Sequence, residues 1–290
     1  MNPALRKLSA EEIPHQLLEI PHPPKELWVR GTLPPPETIL LTVVGARKYS
    51  SYGKEACEHL ISGLRGTPVA IVSGLALGID AIAHEAALKS DLTTIAVPGS
   101  GLDPSMLYPR SNVGLAERIV ECGGALLSEF APDFRATQWS FPQRNRIMAG
   151  LTKATLIIEA ELRSGTLITA RMATDYNRDV FAVPGSIFSP NSSGPNMLIR
   201  LGATPVTSSA DILEALGLNA EARATATQGS IDFSSLSPEE ACVMEILTAP
   251  IEREELLAQL QLSASEANIL LMKMEIAGLI RETHEGIMRA

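Results

Sequence analysis

Short apolar runs alternate with helical patterns through the middle of the chain. Each run is rich in Val, Ile, Leu or Ala and leads into a turn that is polar or contains glycine. The runs occupy residues 39–44, 69–72, 94–97, 125–128, 155–158 and 180–183. Continuously apolar strands that alternate with helices are typical of a parallel sheet covered on both faces. The pattern therefore predicts a doubly wound α/β core with a mostly parallel sheet over residues 39–217.

The two ends of the chain differ from this core. Residues 1–38 are rich in proline and predict an irregular arm, with one short helix around residues 10–18. Residues 218–233 are polar and rich in Ala and Thr, which is typical of a linker. Residues 234–290 predict a small winged-helix domain, with helices at 236–247, 253–260 and 265–279 and a β-wing after them. Ser237 and Pro238 form a helix start.

Charge is distributed unevenly along the chain. The net charge is −9 at pH 7, which argues against a nucleic-acid partner because phosphate binding favours Lys and Arg. However, residues 232–290 carry 11 acidic and 4 basic side chains, a net charge of −7. The other 231 residues carry 22 acidic and 20 basic side chains, a net charge of −2. Local clustering of basic side chains, rather than the total, therefore decides whether the core has a nucleic-acid site.

Several functional classes are disfavoured by composition. No apolar run is long enough to span a bilayer, and the N-terminus lacks the apolar stretch of a signal peptide. The three cysteines are far apart and the five histidines are scattered, so we expect no disulfide framework, no metal and no cofactor. There is no GxGxxG motif for a dinucleotide. These features predict a cytoplasmic protein without membrane insertion.

Glycine-rich turns follow the first three strands of the core. Arg47 follows the turn at Gly45, where it can hold a phosphate with its fork of donors. Gly74 and Gly78 flank a strand-to-helix turn that permits close backbone approach at a helix N-terminus. Arg110 follows a Tyr-Pro turn and is a second candidate phosphate contact. In the helix after Gly78, Asp80 and His84 share one face, and we expect Asp80 to cap the turn and to hydrogen-bond His84.

The densest motif is FPQRNR at residues 141–146. Arginines for phosphate and an aromatic ring for bases suit single-stranded nucleic acid. Arg144 and Arg146 point to different sides of a helix, so we expect one to face the ligand and the other to brace a neighbouring loop. Trp139 lies just upstream and either packs in the core or contributes to the site. The candidate residues of this motif are Phe141, Arg144, Asn145 and Arg146.

A Ser-Gly-Thr sequence lies between a strand and a helix. Ser164, Gly165 and Thr166 can form a compact anion cradle from hydroxyl and N–H donors. Glu159 and Glu161 precede it, and Pro98-Gly99-Ser100-Gly101 forms another glycine-rich turn. A glycine-rich loop and a nearby glutamate are also found in nucleotide-cleaving N-glycosidases of the lysine-decarboxylase-like (LOG) class. These two features leave that enzyme class open, although the full PGGxGTxxE motif is missing. A nucleotide-sensing protein is a third interpretation.

Taken in order, these motifs resemble the DNA-processing protein A (DprA, Smf) family. The resemblance extends from about residue 40 to residue 216, and its most specific parts are SGLALGIDAIAH, GSGLDPSMLYPRSN, FPQRNRIMAGLT, RSGTLITA and VFAVPGS. It implies an extended Rossmann-like core that binds single-stranded DNA and performs no bond chemistry. It also implies homodimerisation, delivery of strands to the recombinase RecA, and displacement of single-strand-binding protein during natural transformation.

The family motifs assign the predicted DNA contacts residue by residue. The resemblance implies that arginine, asparagine and aromatic side chains contact the strand and that glycines, Ser164 and Thr166 add backbone and hydroxyl contacts. The net negative charge of the C-terminal domain disfavours contact with DNA phosphates. A regulatory or protein-binding role is therefore the better hypothesis for this domain. The residues assigned in this way are Arg47, Gly74, Gly78, Arg110, Phe141, Arg144, Asn145, Arg146, Ser164, Gly165 and Thr166.

Overall fold

The computed structural model describes residues 4–218, 237–247, 251, 253–260, 262, 264–276, 279–283 and 286–289. The chain separates into two compact units, Met1–Ala220 and Glu221–Ala290. Most of the predicted linker, residues 219–233, lies outside the described residues. The division of the chain at residues 38, 217 and 233 remains a prediction.

The first unit contains nine strands and seven α-helices within its described part. The strands are β1 (Arg6–Lys7), β2 (Trp28–Gly31), β3 (Ile39–Val44), β4 (Val69–Ser73), β5 (Thr94–Ala96), β6 (Ala125–Ser128), β7 (Ala154–Ile157), β8 (Asp179–Ala182) and β9 (Thr204–Pro205). The helices are α1 (Ser51–Ser62), α2 (Ile79–Lys89), α3 (Val113–Glu121), α4 (Ser140–Leu151), α5 (Gly165–Asp175), α6 (Ser193–Arg200) and α7 (Ser209–Ala215). Each of the six predicted strands is present, within two residues of its predicted bounds.

The strand order identifies the edge of the sheet where a ligand is expected. The nine strands lie in the order β1-β2-β6-β5-β4-β3-β7-β8-β9, and the seven from β6 to β9 are parallel. The part β5-β4-β3-β7-β8-β9 has the Rossmann order, and β6, β2 and β1 extend it. The chain proceeds outward from β3 on one side and from β7 on the other. The carboxyl ends of β3 and β7 therefore form the topological switch point.

Both faces of the sheet are covered, which explains why its central strands are mostly apolar and lack a polar face. On one face, α1, α2 and α7 pack on β3 and β4 through residues such as Leu41, Ile61 and Ile212. On the other face, α4 packs through Ile147 and Met148 together with the N-terminal segment. The predicted α/β class with a mostly parallel sheet is confirmed.

The N-terminal segment is more regular than the sequence predicts. β2 pairs antiparallel with β6, and β1 pairs antiparallel with β2. Two 3₁₀ turns, Ala10–Glu12 and His15–Leu17, replace the predicted helix around residues 10–18. Leu17 and Leu27 are fully buried against the second face of the sheet. The prolines flank β2 rather than interrupt it, so they did not prevent strand pairing.

The described part of the second unit has the elements that the sequence predicted for it. Helices α8 (Pro238–Ile246), α9 (Arg253–Gln259) and α10 (Ala264–Ile276) precede an antiparallel pair, β10 (Ile280–Thr283) and β11 (Gly286–Arg289). Ser237 caps α8, accepting a hydrogen bond from the Glu240 backbone N–H, and Pro238 is at the first helical position. Its core includes Val243, Leu256 and Met274.

Two further expectations concern compartments and metals. None of the helices in the described ranges combines the length and the apolar character needed to cross a bilayer. The three cysteines are free thiols, Cys57 buried and the other two exposed. Within the same ranges, no three His, Cys, Asp or Glu side chains come together as metal ligands.

Candidate functional site

A cavity of about 520 Å³ opens at the switch point of the sheet. Its walls come from the turn after β3, the segment between β7 and α5, and the first turns of α4. Gly45 holds two of these walls together, because its carbonyl accepts a hydrogen bond from Thr166 Oγ1 at 3.1 Å. The cavity therefore lies where ligands bind in open α/β sheets.

The walls of the cavity are basic although the chain is acidic. Four basic side chains, Arg47, Lys48, Arg144 and Arg163, line it together with two acidic ones, Asp80 and Glu161. The lining thus carries a formal charge of +2 in a chain of net charge −9. Local clustering of this kind favours an anionic ligand.

Arg47 and Phe141 form the centre of the exposed part of the site. Arg47 is exposed, and its guanidinium carbon lies 5.6 Å from the centroid of the Phe141 ring. The ring of Phe141 also lies 5.7 Å from that of Tyr108, which is half exposed. Phe141 packs closely on Gly99, where a side chain would overlap the ring. A cation and accessible aromatic rings therefore lie side by side, as phosphate and base binding require.

The N-terminus of α5 supplies the second polar wall. Ser164 is its N-cap, and its Oγ accepts a hydrogen bond from the Thr166 backbone N–H at 3.2 Å. Gly165 is exposed, with open space where a side chain would extend. The positive end of an 11-residue helix thus lies at the cavity. The structure brings Ser164, Gly165 and Thr166 together as predicted.

Arg144 lies beneath this surface and is engaged with the protein. It is 5% exposed, its Nη1 donates to the carbonyls of Gly74 and Val97, and its Nε donates to Asn145 Oδ1 at 3.0 Å. Burial lowers the pKa of Arg144 to about 10, so the guanidinium stays charged at neutral pH. It lines the cavity wall with Asn145 while fixing two strand ends.

Asp80 is the buried counter-charge of Arg144. Its carboxylate accepts a hydrogen bond from the Gly74 backbone N–H at 3.1 Å, so it caps the turn as predicted. Burial raises the pKa of Asp80, and the charge of Arg144 opposes that rise. The expected hydrogen bond to His84 is wrong, because His84 Nδ1 lies 2.7 Å from Thr94 Oγ1 instead. Burial lowers the pKa of His84 to about 3, which keeps the ring neutral.

Four predicted contact residues do not line the cavity. Arg146 pairs with Glu129 and donates to the His22 carbonyl at 2.6 Å, so it braces a neighbouring segment, as expected for one of the two arginines. Arg110 Nη1 donates to the carbonyls of Pro104 and Ser105 at 3.0 and 3.1 Å.

Gly74 and Gly78, the other two, act in packing. A side chain at Gly74 would overlap Arg144 and Asp80. Gly78 has a φ of +83° and packs against the backbone of Ala46 and Arg47. Both glycines permit the close approach that the sequence predicted, but the approaching groups belong to the protein itself.

Lys48, Arg163 and Tyr108 belong to the site although the sequence analysis did not select them. Lys48 and Arg163 are exposed on the cavity wall, and Tyr108 contacts Phe141. Arg163 directly precedes the N-cap of α5, which was a usable signal for an anion site. No comparable signal in the sequence indicated that Tyr108 reaches Phe141.

Comparison with known proteins identifies the family. The family model for DNA recombination-mediator protein A matches residues 5–217, and the model for the DprA winged helix domain matches residues 232–286. The chain belongs to the DNA recombination-mediator protein A family. The resemblance inferred from the motifs and the winged-helix prediction are both confirmed.

Curated members of the DNA recombination-mediator protein A family match the core. Protein Smf of Escherichia coli is 45% identical over 207 residues, which cover 71% of this chain and 55% of that protein. DNA processing protein DprA of Bacillus subtilis is 38% identical over 214 residues, which cover 72% of this chain and 70% of that protein. The match thus spans about half of the E. coli relative's length.

Solved structures of the same family match the fold. The X-ray structure of DprA from Streptococcus pneumoniae has a TM-score of 0.68 at 40% identity, covering 72% of this chain and 74% of that one. DprA from Helicobacter pylori, whose structure concerns its single-stranded DNA binding mode, has a TM-score of 0.65 at 29% identity. That match covers 74% of this chain and 98% of the H. pylori chain. The extended Rossmann-like core is confirmed.

Proposed function

We propose that this protein binds single-stranded DNA in the cavity at the switch point of the sheet. The observation that carries the proposal is the pairing of Arg47, an exposed cation, with the accessible ring of Phe141 at 5.6 Å. The binding mode of the H. pylori relative supports it, since that protein has the same fold and family. The net positive lining of the cavity supports it as well.

Each wall has a distinct part in binding. Arg47, Lys48 and Arg163 neutralise phosphates, and the N-terminus of α5 adds backbone donors. Phe141 stacks a base, with Tyr108 beside it. Every base has a stacking face, so this mode has weak sequence preference. Arg144 and Asp80 hold the wall in position from below.

We further propose the cellular role that the family implies. The protein is a cytoplasmic homodimer that receives incoming single strands, displaces single-strand-binding protein and loads RecA during natural transformation. Support comes from its family, whose name is DNA recombination-mediator protein A. This role requires binding and transfer of a strand but no bond chemistry, so we propose that the protein is not an enzyme and uses no cofactor.

The glycosidase alternative depends on a free carboxylate near the anion cradle. Glu159 is 1% exposed, and its Oε2 accepts hydrogen bonds from the Ser50 N–H at 2.9 Å and Asn191 Nδ2 at 3.3 Å. Its Oε1 accepts from the Ser50 hydroxyl. Glu159 therefore braces the turn after β3, and Glu161, which is exposed on the cavity lining, is the carboxylate on which the glycosidase alternative depends. Release of free base from a nucleoside monophosphate would support the glycosidase.

Fluorescence anisotropy of a labelled single-stranded oligonucleotide tests the proposal. We expect tight binding that weakens with salt and exceeds the binding of a duplex of the same length. An absence of binding at low salt would refute the proposal. Tight binding of a mononucleotide without binding of oligonucleotides would instead support a nucleotide-sensing protein.

A further inference from the structure

Trp139 is a large aromatic side chain on the surface that the proposed cavity does not use. It is the N-cap residue of α4, it is 57% exposed, and it lies outside the cavity lining. Tryptophan normally buries a large apolar area. The sequence suggested that Trp139 either packs in the core or contributes to the main site. The indole is neither buried in the core nor part of the cavity lining.

Two phenylalanines hold the indole in place. The rings of Phe130 and Phe134 stack with centroids 4.4 Å apart. Trp139 meets both rings edge-on, with centroids 5.9 and 5.5 Å away. Phe130 is 7% exposed, so this pair is anchored in the protein. The indole thus has a rigid base on one side and solvent on the other.

Backbone hydrogen bonds fix the loop that carries Phe134. The Phe134 N–H donates to the Ala131 carbonyl at 2.9 Å, which closes a turn. The Gly101 N–H donates to the Phe134 carbonyl at 2.9 Å, and the Asp103 N–H donates to the Pro132 carbonyl at 3.1 Å. A ligand that stacks on Trp139 would therefore meet a surface that is already ordered, which lowers the entropic cost of binding.

The platform of Trp139, Phe130 and Phe134 is linked to the proposed site through the loop at residues 99–101. Phe141 packs on Gly99, and the Ser140 hydroxyl donates to the Gly99 carbonyl at 2.6 Å. Phe134 is bonded to Gly101 of the same loop. The Cα atoms of Trp139 and Phe141 are at most about 7 Å apart, because only one residue separates them. Both rings are thus within reach of nearby nucleotides on one strand.

The charge around the platform is balanced. Arg135 and Asp133 are both exposed on the loop that precedes Trp139. Net charge therefore does not attract a strand to this surface. The accessible indole and its position beside Phe141 carry the inference.

We propose that the platform is a second base-stacking subsite for single-stranded DNA, in which a base stacks on Trp139. This inference rests on the proposed function, since the same strand must occupy the cavity at Arg47 and Phe141. A base has a flat apolar face and suits an exposed indole on a rigid support. A protein partner on Trp139 is the competing occupant and is an outcome of the test.

Intrinsic fluorescence provides a direct readout, because the chain has only two tryptophans. In a Trp28→Phe variant of the full chain, Trp139 is the sole tryptophan, and excitation at the red edge of its absorption selects its emission over that of the four tyrosines. Titration with an unlabelled oligothymidylate of about 15 nucleotides should quench its emission to saturation. Anisotropy with the labelled oligonucleotide should give the same Kd. Trp28 lies in β2, so its replacement should leave that Kd unchanged.

Affinity of paired variants provides the second readout. Trp139→Ala should weaken binding of the long oligonucleotide roughly tenfold, and Trp139→Phe should retain most of the affinity. A mononucleotide, whose single base and phosphate occupy only the cavity, should bind Trp139→Ala and the unmodified chain equally. Thermal unfolding of each variant separates loss of folding from loss of a contact.

The outcomes distinguish the inference from the function on which it rests. Anisotropy that reports binding while Trp139 emission and Trp139→Ala affinity stay unchanged would overturn the subsite and leave the proposed function intact. That result would favour a protein partner for the exposed indole. Absence of binding by anisotropy would overturn both. Saturable quenching together with a length-dependent loss in Trp139→Ala would establish the subsite.

Discussion

The guanidinium carbon of Arg47 lies 5.6 Å from the centre of the Phe141 ring, and the two residues come from different parts of the sequence. Gly78 makes this arrangement possible, because its missing side chain lets the Arg47 backbone pack against it. The position of Arg47 beside the ring therefore depends on a third residue, which itself lies outside the cavity lining.

Replacing Arg47 by Ala should weaken single-stranded DNA binding roughly tenfold. The slope of log affinity against log salt should become shallower by about 0.7, the value for one phosphate of a single strand. Arg47→Lys should keep the slope and lose part of the affinity, because lysine lacks the planar fork. Anisotropy at several salt concentrations measures both quantities.

Arg65 provides the matched control for Arg47. It is an exposed arginine that pairs with Asp91 and precedes β4, at the opposite end of the sheet. Arg65→Ala should leave affinity and salt slope unchanged. Equal effects of the two replacements would show that overall charge, rather than this site, governs binding.

Arg146→Ala should destabilise the core rather than remove a DNA contact. The side chains of Arg146 and Glu129 are 14% and 8% exposed, so removing the arginine leaves a nearly buried carboxylate unpaired. We expect a loss of about 3 kcal/mol in the free energy of unfolding. Tryptophan emission during urea denaturation measures it, since Trp28 and Trp139 both lie in the first unit.

The affinity of folded Arg146→Ala for single strands should stay within about twofold of the parent, because the side chain lies away from the cavity. Arg171, 85% exposed and 3.9 Å from Asp175, is the control, and its replacement should cost less than about 0.5 kcal/mol. Lost affinity at full stability would mean that Arg146 reaches the strand.

His84 should make the core less stable in mild acid. Burial lowers its pKa to about 3, while the unfolded chain titrates near 6.5. Between these two pKa values His84 is protonated in the unfolded state but neutral in the folded state. The free energy of unfolding therefore falls as the pH decreases from 6.5. At pH 5 the loss from His84 is about 2 kcal/mol relative to pH 7.5.

The comparison with His84→Gln isolates this contribution. Burial raises the pKa of Asp80, so protonation of this carboxyl stabilises the folded state in acid, opposite to the effect of His84. Asp80 is present in both proteins, and its contribution cancels in the comparison. Urea unfolding at pH 7.5 and pH 5.0 gives the pH dependence of each. An identical pH dependence in both proteins would exclude His84 as its source.

Deletion of residues 234–290 should leave single-strand affinity within about threefold of the full chain. Residues 232–290 carry a net charge of −7, which disfavours phosphate contact. Anisotropy on the truncated protein tests this expectation. Loss of most of the affinity would assign DNA binding to the winged helix despite its charge.

The periodicity of the chain was sufficient to predict the parallel core. Strands such as β4 and β6 are buried at every position and mostly apolar because both faces of the sheet are covered, and the local sequence records that burial directly. β2 was missed for the opposite reason. Its four residues become a strand only through pairing with β6, a contact that its own composition does not encode.

The candidate site was predicted less completely than the fold. Arg47 and Phe141 follow recognisable turns and were selected correctly as cavity residues. Arg144 and Arg146 look equivalent in sequence, yet one is fixed by carbonyls and the other by Glu129. Residue type predicts that an arginine needs partners, but only the tertiary structure shows whether the protein already provides them.

The pairing of β2 with β6 also sets an order of events during synthesis. Trp28 pairs with Ser128, so the first of these strands leaves the ribosome 100 residues before its partner exists. Until then, Leu17 and Leu27 lack the apolar surface that later buries them. The N-terminal segment must therefore remain an exposed, unpaired chain until β6 and α4 have been synthesised, and during that interval its apolar residues are open to aggregation.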